Sequence, residues 1–169
     1  MLDIFNNLKP FFEDCYKRYS VREYSRLLKI SPPTASKILK MLHKENLLKI
    51  TKENIYLFFW ANKENKNFID LSRIYWNYKL ADFIEYINQT LVDPTIILFG
   101  SLSKAETKID SDIDIALFAN KRELNVKEFE KILKREFQIF IFNSPRDVKN
   151  KELLNNLING FILQGKIRL

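Results

Sequence analysis

Apolar residues recur at helical spacing from the start of the chain: Leu2, Phe5, Leu8, Phe12, Tyr16 and Tyr19. They predict an opening helix that Pro10 bends or splits. Ser20 is a good N-cap, and "VREYSRLLKI" then reads as a second helix with Tyr24, Leu27 and Leu28 inward. In "ISPPTASKILKMLHKENLLKI", Ser31 caps a third helix whose first turn holds Pro32 and Pro33, where a missing N–H costs nothing. Ala35, Ile38, Leu39 and Leu42 form its buried stripe, leaving Thr34, Ser36, Lys37, Lys40 and Lys44 outward. "LLKITKENIYLFF" reads as two β-rich runs around the polar turn 51–54, a hairpin.

A polar run, Asn62 to Asn67, marks a boundary, and a long helix is expected from about Phe68 to Leu91. Its apolar stripe is too broad for a helix washed on all sides. Trp60, Tyr75, Trp76 and Tyr78 serve either packing or base stacking. "PTIILFGS" is a continuous apolar run ending in Gly-Ser, as for a buried strand turning into a loop. "DIDIALF" is a second strand, "QIFIF" a third, and "ELLNNLINGFILQG" a helix, tight turn and short strand. The fold class is therefore α+β. Three segments are expected: residues 1–60, a linker and connector helix over 61–92, and a small mixed-sheet domain over 93–169.

Composition changes this picture in only a few places. The chain has 169 residues, 46% hydrophobic and 29% charged, which is a globular composition. No apolar run reaches bilayer length and the N-terminus lacks signal-peptide character, so no membrane association and a cytoplasmic location are expected. A single cysteine, Cys15, leaves no internal disulfide and no thiolate zinc site. A single histidine, His43, excludes multi-histidine metal centres. The net charge is +7, of which residues 1–60 carry +5. A basic N-terminal third is the electrostatic footprint of a polyanion binder.

The strongest chemistry lies between Leu98 and Phe118. Gly100 lets the backbone approach a ligand, and the amides and the Ser101 hydroxyl beyond it can hold phosphate oxygens. Strand alternation puts Asp112 and Asp114 on one face, with Ile113 and Ile115 behind. Two carboxylates so placed repel each other unless a hard cation sits between them, and Mg²⁺ takes one or two carboxylates plus phosphate oxygens. The pattern implies a metal–nucleotide site, with Asp112 and Asp114 as metal ligands and catalytic residues.

The spacing of Gly-Ser, ten residues, Asp-x-Asp in "GSLSKAETKIDSDIDI" resembles the DNA polymerase β-like nucleotidyltransferases, in their minimal branch. The resemblance implies a triphosphate held by Gly100, Ser101 and Lys104, and transfer of a nucleoside monophosphate from Mg·NTP, with ATP the expected donor. It also implies a macromolecular acceptor, which in this branch is often a HEPN-type partner protein, and hence an antitoxin-like role. Two departures stand out. Ala105 occupies a position where a glycine usually follows the basic residue. The third carboxylate that active members carry on the next strand is missing, with Gln138 where it is expected.

Residues 1–60 resemble the MarR/ArsR-like winged helix-turn-helix domains, on "SPPTASKILKMLHKENLLK". This resemblance implies duplex DNA binding, with groove contacts from Pro33, Thr34, Ser36, Lys37 and Lys40, and a phosphate contact from Lys52 at the wing tip. Winged helices also serve as protein-docking or dimerisation modules, and a homodimer is compatible with the connector's broad stripe. The whole chain is similar to an archaeal-type fusion of the two modules. Two functions remain open on the sequence: a nucleotidyltransferase, or a DNA-binding regulator whose degenerate transferase domain only senses nucleotide or mediates assembly.

Overall fold

The computed structural model describes residues 3–167, so Leu2 of the opening stripe lies outside the described residues. The chain is α+β throughout. It divides into two compact units, one of residues 1–75 with 105–109, the other of residues 76–104 with 110–169.

The first unit runs α1 (Asp3–Glu13), β1 (Tyr19–Ser20), α2 (Val21–Leu28), α3 (Pro32–Lys44), β2 (Leu48–Glu53) and β3 (Tyr56–Ala61), and continues into α4 (Lys66–Lys79). Its antiparallel sheet has the order β1-β3-β2. The local rules act where the sequence placed them. Ser20 caps α2, with its side chain accepting from the Glu23 N–H while the Glu23 carboxylate reaches back, a capping box worth about 1 kcal/mol. The Ser20 N–H and hydroxyl, both donating to that carboxylate, hold the Glu23 carboxyl below its usual range. Ser31 caps α3, and Pro32 and Pro33 open it.

Ala35, Leu39 and Leu42 are buried while Ile38 is half-buried. They join a core rich in rings: Phe11 meets Tyr19 edge-on at 5.3 Å, and Phe12 lies 5.2 Å from both Phe68 and Tyr75. Cys15 is fully buried, its N–H donates to the Thr107 carbonyl at 2.8 Å, and burial pushes its thiol up to about 11. It is an inert packing residue.

Several expectations are corrected. Helix α1 ends at Glu13, because Asp14 turns to accept from the N–H groups of Tyr16 and Lys17. Tyr16 is therefore outside the helix and exposed. Leu27 is exposed rather than inward, because Tyr24 and Ser25 take the buried side of α2. The hairpin turns at residues 54 and 55, with Asn54 left-handed at φ 54, and not over 51–54. Lys52 therefore pairs with Leu57 inside the ladder, two residues before the turn.

The single long connector helix is two, α4 and α5 (Ala81–Thr90), broken at Leu80. The second unit then follows as β4 (Thr95–Leu98), α6 (Gly100–Ser103), β5 (Ile113–Phe118), α7 (Lys127–Leu133), β6 (Phe137–Phe142), α8 (Lys151–Ile158) and β7 (Phe161–Gln164). Its sheet has the order β6-β5-β4-β7. β5 is antiparallel to β4 and parallel to β6, and β7 closes the far side against β4.

One face of this sheet packs Ile97, Phe99, Ala116 and Phe118 with Leu157, Leu153 and Leu154 of α8. The opposite face takes α5 and α7, where Phe83 lies 4.7 Å from Phe137 and 5.7 Å from Phe129. Central β5 is thus buried on both sides, and only its N-terminal end, with the aspartates, reaches the surface.

Candidate functional site

The expected phosphate turn begins where β4 ends. The Phe99 N–H donates to the Asp114 carbonyl at 3.0 Å, which holds the end of β4 against the start of β5. Gly100 follows at φ +66, a left-handed conformation that favours glycine. A Cβ placed there would lie 2.0 Å from Asp114 Oδ2. The glycine therefore makes room for the second aspartate. The Ser103 hydroxyl donates to the Gly100 carbonyl at 2.9 Å and closes the turn. Ser101 is half-buried on it, and Lys104 leaves it exposed, its Nζ donating to Asn156 Oδ1 on α8 at 3.4 Å. Ala105 is left-handed at φ 55 and fully buried. The backbone there has the shape a glycine would favour, which explains the usual residue and leaves this chain with local strain.

Asp112 lies one residue before β5 and Asp114 within it, on the same side of the strand, while Ile113 and Ile115 are fully buried. Gln138 sits opposite Asp114 in the parallel β5–β6 ladder and donates from Nε2 to Asp112 Oδ2 at 3.0 Å. A neutral amide thus fills the third corner of the cluster. The other nearby acids are placed elsewhere: Glu136 is exposed, and Asp147 accepts from the Ser144 N–H and hydroxyl. Partial burial, then the charge of Asp112, raises the Asp114 carboxyl above its ordinary value.

An acid whose folded-state pKa is raised contributes stability that is complete below its unfolded pKa, about 3.9, and is lost as pH rises through the folded value. Ionised Asp114 therefore costs stability at neutral pH. Asp114→Asn is expected to raise the urea midpoint at pH 7, with the gain fading below about pH 4. A midpoint unchanged at pH 7 would mean that the carboxylate is relieved by its surroundings.

Two contributors carry no sequence signature. Arg135 is buried, donates from a guanidinium nitrogen to the Ser111 carbonyl at 2.6 Å, and lies 5.2 Å from the Trp76 ring. It fixes the backbone just ahead of Asp112. Asn156 reaches Lys104 from 52 residues away. Both depend on long-range folding, so spacing alone gives no hint of them.

Among the described residues, no group of three or more His, Cys, Asp or Glu side chains gathers into a metal site. The donor set fits one Mg²⁺ shared with phosphate oxygens, since two carboxylates stand on one side of the strand and the charge of Asp112 works against ionisation of Asp114. It does not fit the three-carboxylate, two-metal arrangement.

Residues 82–165 match the family model described as Polymerase beta, Nucleotidyltransferase. This likeness supports a nucleotidyltransferase-fold domain in this part of the chain. The match spans the Gly-Ser turn, both aspartates and Gln138, and a domain of this kind implies a nucleotide substrate. No curated protein and no solved structure matches the chain. Among the described residues, no helix is long and apolar enough to cross a membrane.

In the first unit, Pro33, Thr34, Lys37 and Lys40 are exposed on α3 and Ser36 is half-buried beside them. Lys52 is exposed on β2. His43 is on the helix surface, as expected, with Nδ1 2.9 Å from the Leu48 carbonyl oxygen.

Proposed function

We propose that the protein binds a magnesium–nucleoside triphosphate, ATP in the first instance, in its nucleotidyltransferase domain. The observation that carries this reading is the fit of Gly100 against Asp114, with Asp112 on the same side. Gly100, Ser101 and Lys104 hold the triphosphate. Asp112 and Asp114 hold one Mg²⁺, which when bound neutralises phosphate charge and orients the α-phosphate. In calorimetric titrations, ATP should bind more tightly with Mg²⁺ than without. Asp112→Asn combined with Asp114→Asn should remove that difference, and equal affinity with and without metal in the wild type would overturn the reading.

Whether nucleotide is transferred turns on Gln138. If transfer occurs, the product is a nucleoside monophosphate, AMP from ATP, on a hydroxyl of a macromolecule such as a HEPN-type partner, as an antitoxin-like reaction. The Gln138–Asp112 hydrogen bond favours a second reading: the domain holds nucleotide as a sensor and transfers slowly or not at all, since an amide is not a base.

The order α1-β1-α2-α3-β2-β3, with α3 exposing polar and basic residues, supports a winged helix that binds duplex DNA. Pro33, Thr34, Ser36, Lys37 and Lys40 make the groove and backbone contacts on this reading. Lys52 reaches phosphate from the flank of the hairpin. Lys37→Ala and Lys40→Ala should weaken duplex binding in gel shifts. Each should also flatten the dependence on log salt by roughly 0.9 for every phosphate no longer neutralised. Gel shifts indifferent to both changes would assign this unit to protein docking or to a homodimer interface instead.

A further inference from the structure

The sheet of the first unit has a second face that neither the core nor α3 accounts for. On central strand β3, Phe59 and Ala61 are buried, whereas Tyr56, Phe58 and Trp60 occupy the alternate positions facing out. Tyr56 is 49% exposed, and Phe58 and Trp60 are half-buried. Same-face residues on a strand stand roughly 6.7 Å apart, wide enough for each ring to take its own partner. The inner positions already supply the core, so packing does not explain three aromatics in the outer row.

Cations interleave with this row. Arg18, just before edge strand β1, places its guanidinium 5.0 Å from the Trp60 ring and 5.6 Å from the Phe58 ring. Lys49 is the cross-strand neighbour of Trp60. In the same unit, two residues before Arg18 in the chain, the exposed Tyr16 ring has Lys63 Nζ at 3.7 Å and Lys108 Nζ at 5.6 Å. Among the acids, Asp14 accepts from the Tyr16 and Lys17 N–H groups, while Glu53 is paired with Arg18 and Glu64 with Lys49. Both are surface ion pairs, which are weak and readily exchanged for phosphate. The face is a net positive surface in which every cation touches or adjoins a ring.

We propose that this face binds single-stranded nucleic acid, with bases stacked on Tyr56, Phe58 and Trp60 and phosphates held by Arg18, Lys49, Lys63 and Lys108. A ring row with adjoining positive charge is the chemistry of a stacking platform, which tolerates any base sequence because every base has a π-face. Duplex DNA cannot use it, since its base faces are already stacked inside the helix. The guanidinium over Trp60 can itself stack against a base.

Trp60 reports directly on the test. The chain has two tryptophans and the other, Trp76, is 1% exposed. Titrating the full chain with oligo(dT) or oligo(U) should quench tryptophan emission. Removing the ring beneath one stacked base changes affinity by roughly tenfold or more. Tyr56→Ala and Arg18→Ala, both at exposed positions, should each weaken binding to that extent with an unchanged thermal melt. Trp60→Leu should weaken it and remove the quench. Tighter binding of oligo(U) than of oligo(dT) would name RNA as the ligand, through its 2′-hydroxyls, and the reverse would name DNA. No binding of either, or unchanged affinity in the Tyr56 and Arg18 variants, would overturn the proposal.

Discussion

Gly100→Ala is expected to abolish nucleotide binding while leaving most of the fold in place. The new Cβ would stand 2.0 Å from Asp114 Oδ2 and 2.8 Å from its carboxyl carbon, so the aspartate must swing away or the turn must open. Either movement separates the turn from the carboxylates. The left-handed backbone adds about 1–2 kcal/mol for any residue with a side chain, so the thermal midpoint should also fall. Gly160→Ala separates the two effects. Its Cβ would meet Ile97 Cγ2 at 2.6 Å and the Leu98 carbonyl oxygen at 2.9 Å, a clash in the sheet and its core. That variant should lose stability yet keep the magnesium-dependent ATP affinity of its folded fraction. Calorimetry on both decides the matter: if Gly100→Ala binds Mg·ATP within about threefold of wild type, on the scale where tenfold is 1.4 kcal/mol, the turn is not the phosphate site.

The difference between what could be read from the sequence and what could not follows the range of the interactions. Ser20, Ser31 and the two prolines act within one helical turn, and the structure uses each as the sequence implies. The Gly-Ser turn and the alternating aspartates are legible for the same reason: a strand's period fixes which side chains share a side, and β5 keeps Ile113 and Ile115 buried.

Failures begin where competing local bonds or distant packing decide. Asp14 ends α1 by taking two backbone N–H groups, which strands Tyr16 outside the helix although its spacing fits. The break at Leu80 carries no glycine or proline, so a continuous apolar stripe concealed two helices. Arg135 is one cation among 28 in the sequence and becomes distinctive only when folding brings it to the Ser111 carbonyl. The outer row of β3 is legible as alternation, but its meaning depends on Arg18 arriving from the segment just before β1.

Gln138→Glu is expected to have the opposite effects on stability and on activity. In the wild type the amide N–H donates to Asp112 Oδ2 at 3.0 Å, so the amide relieves one of two repelling carboxylates. A glutamate there would place a third negative group in the cluster, and like charges at such distances cannot all ionise. One carboxyl pKa must rise, so the metal-free variant should be most stable in acid and lose stability as pH rises through that value. Added Mg²⁺ should restore it, because cation binding favours the folded state in proportion to its affinity. With metal and ATP present, the new carboxylate can take the proton of an attacking hydroxyl. General-base help is worth about 10²–10⁴-fold, so transfer of labelled nucleotide to an acceptor protein should rise by that factor over the wild type. Gln138→Ala should remove the donor to Asp112 without supplying a base, and transfer should stay at the wild-type level or below. A fast wild type with an equally fast Gln138→Ala variant would show that the proton leaves by another route. Gln138 would then serve only to hold Asp112 in place.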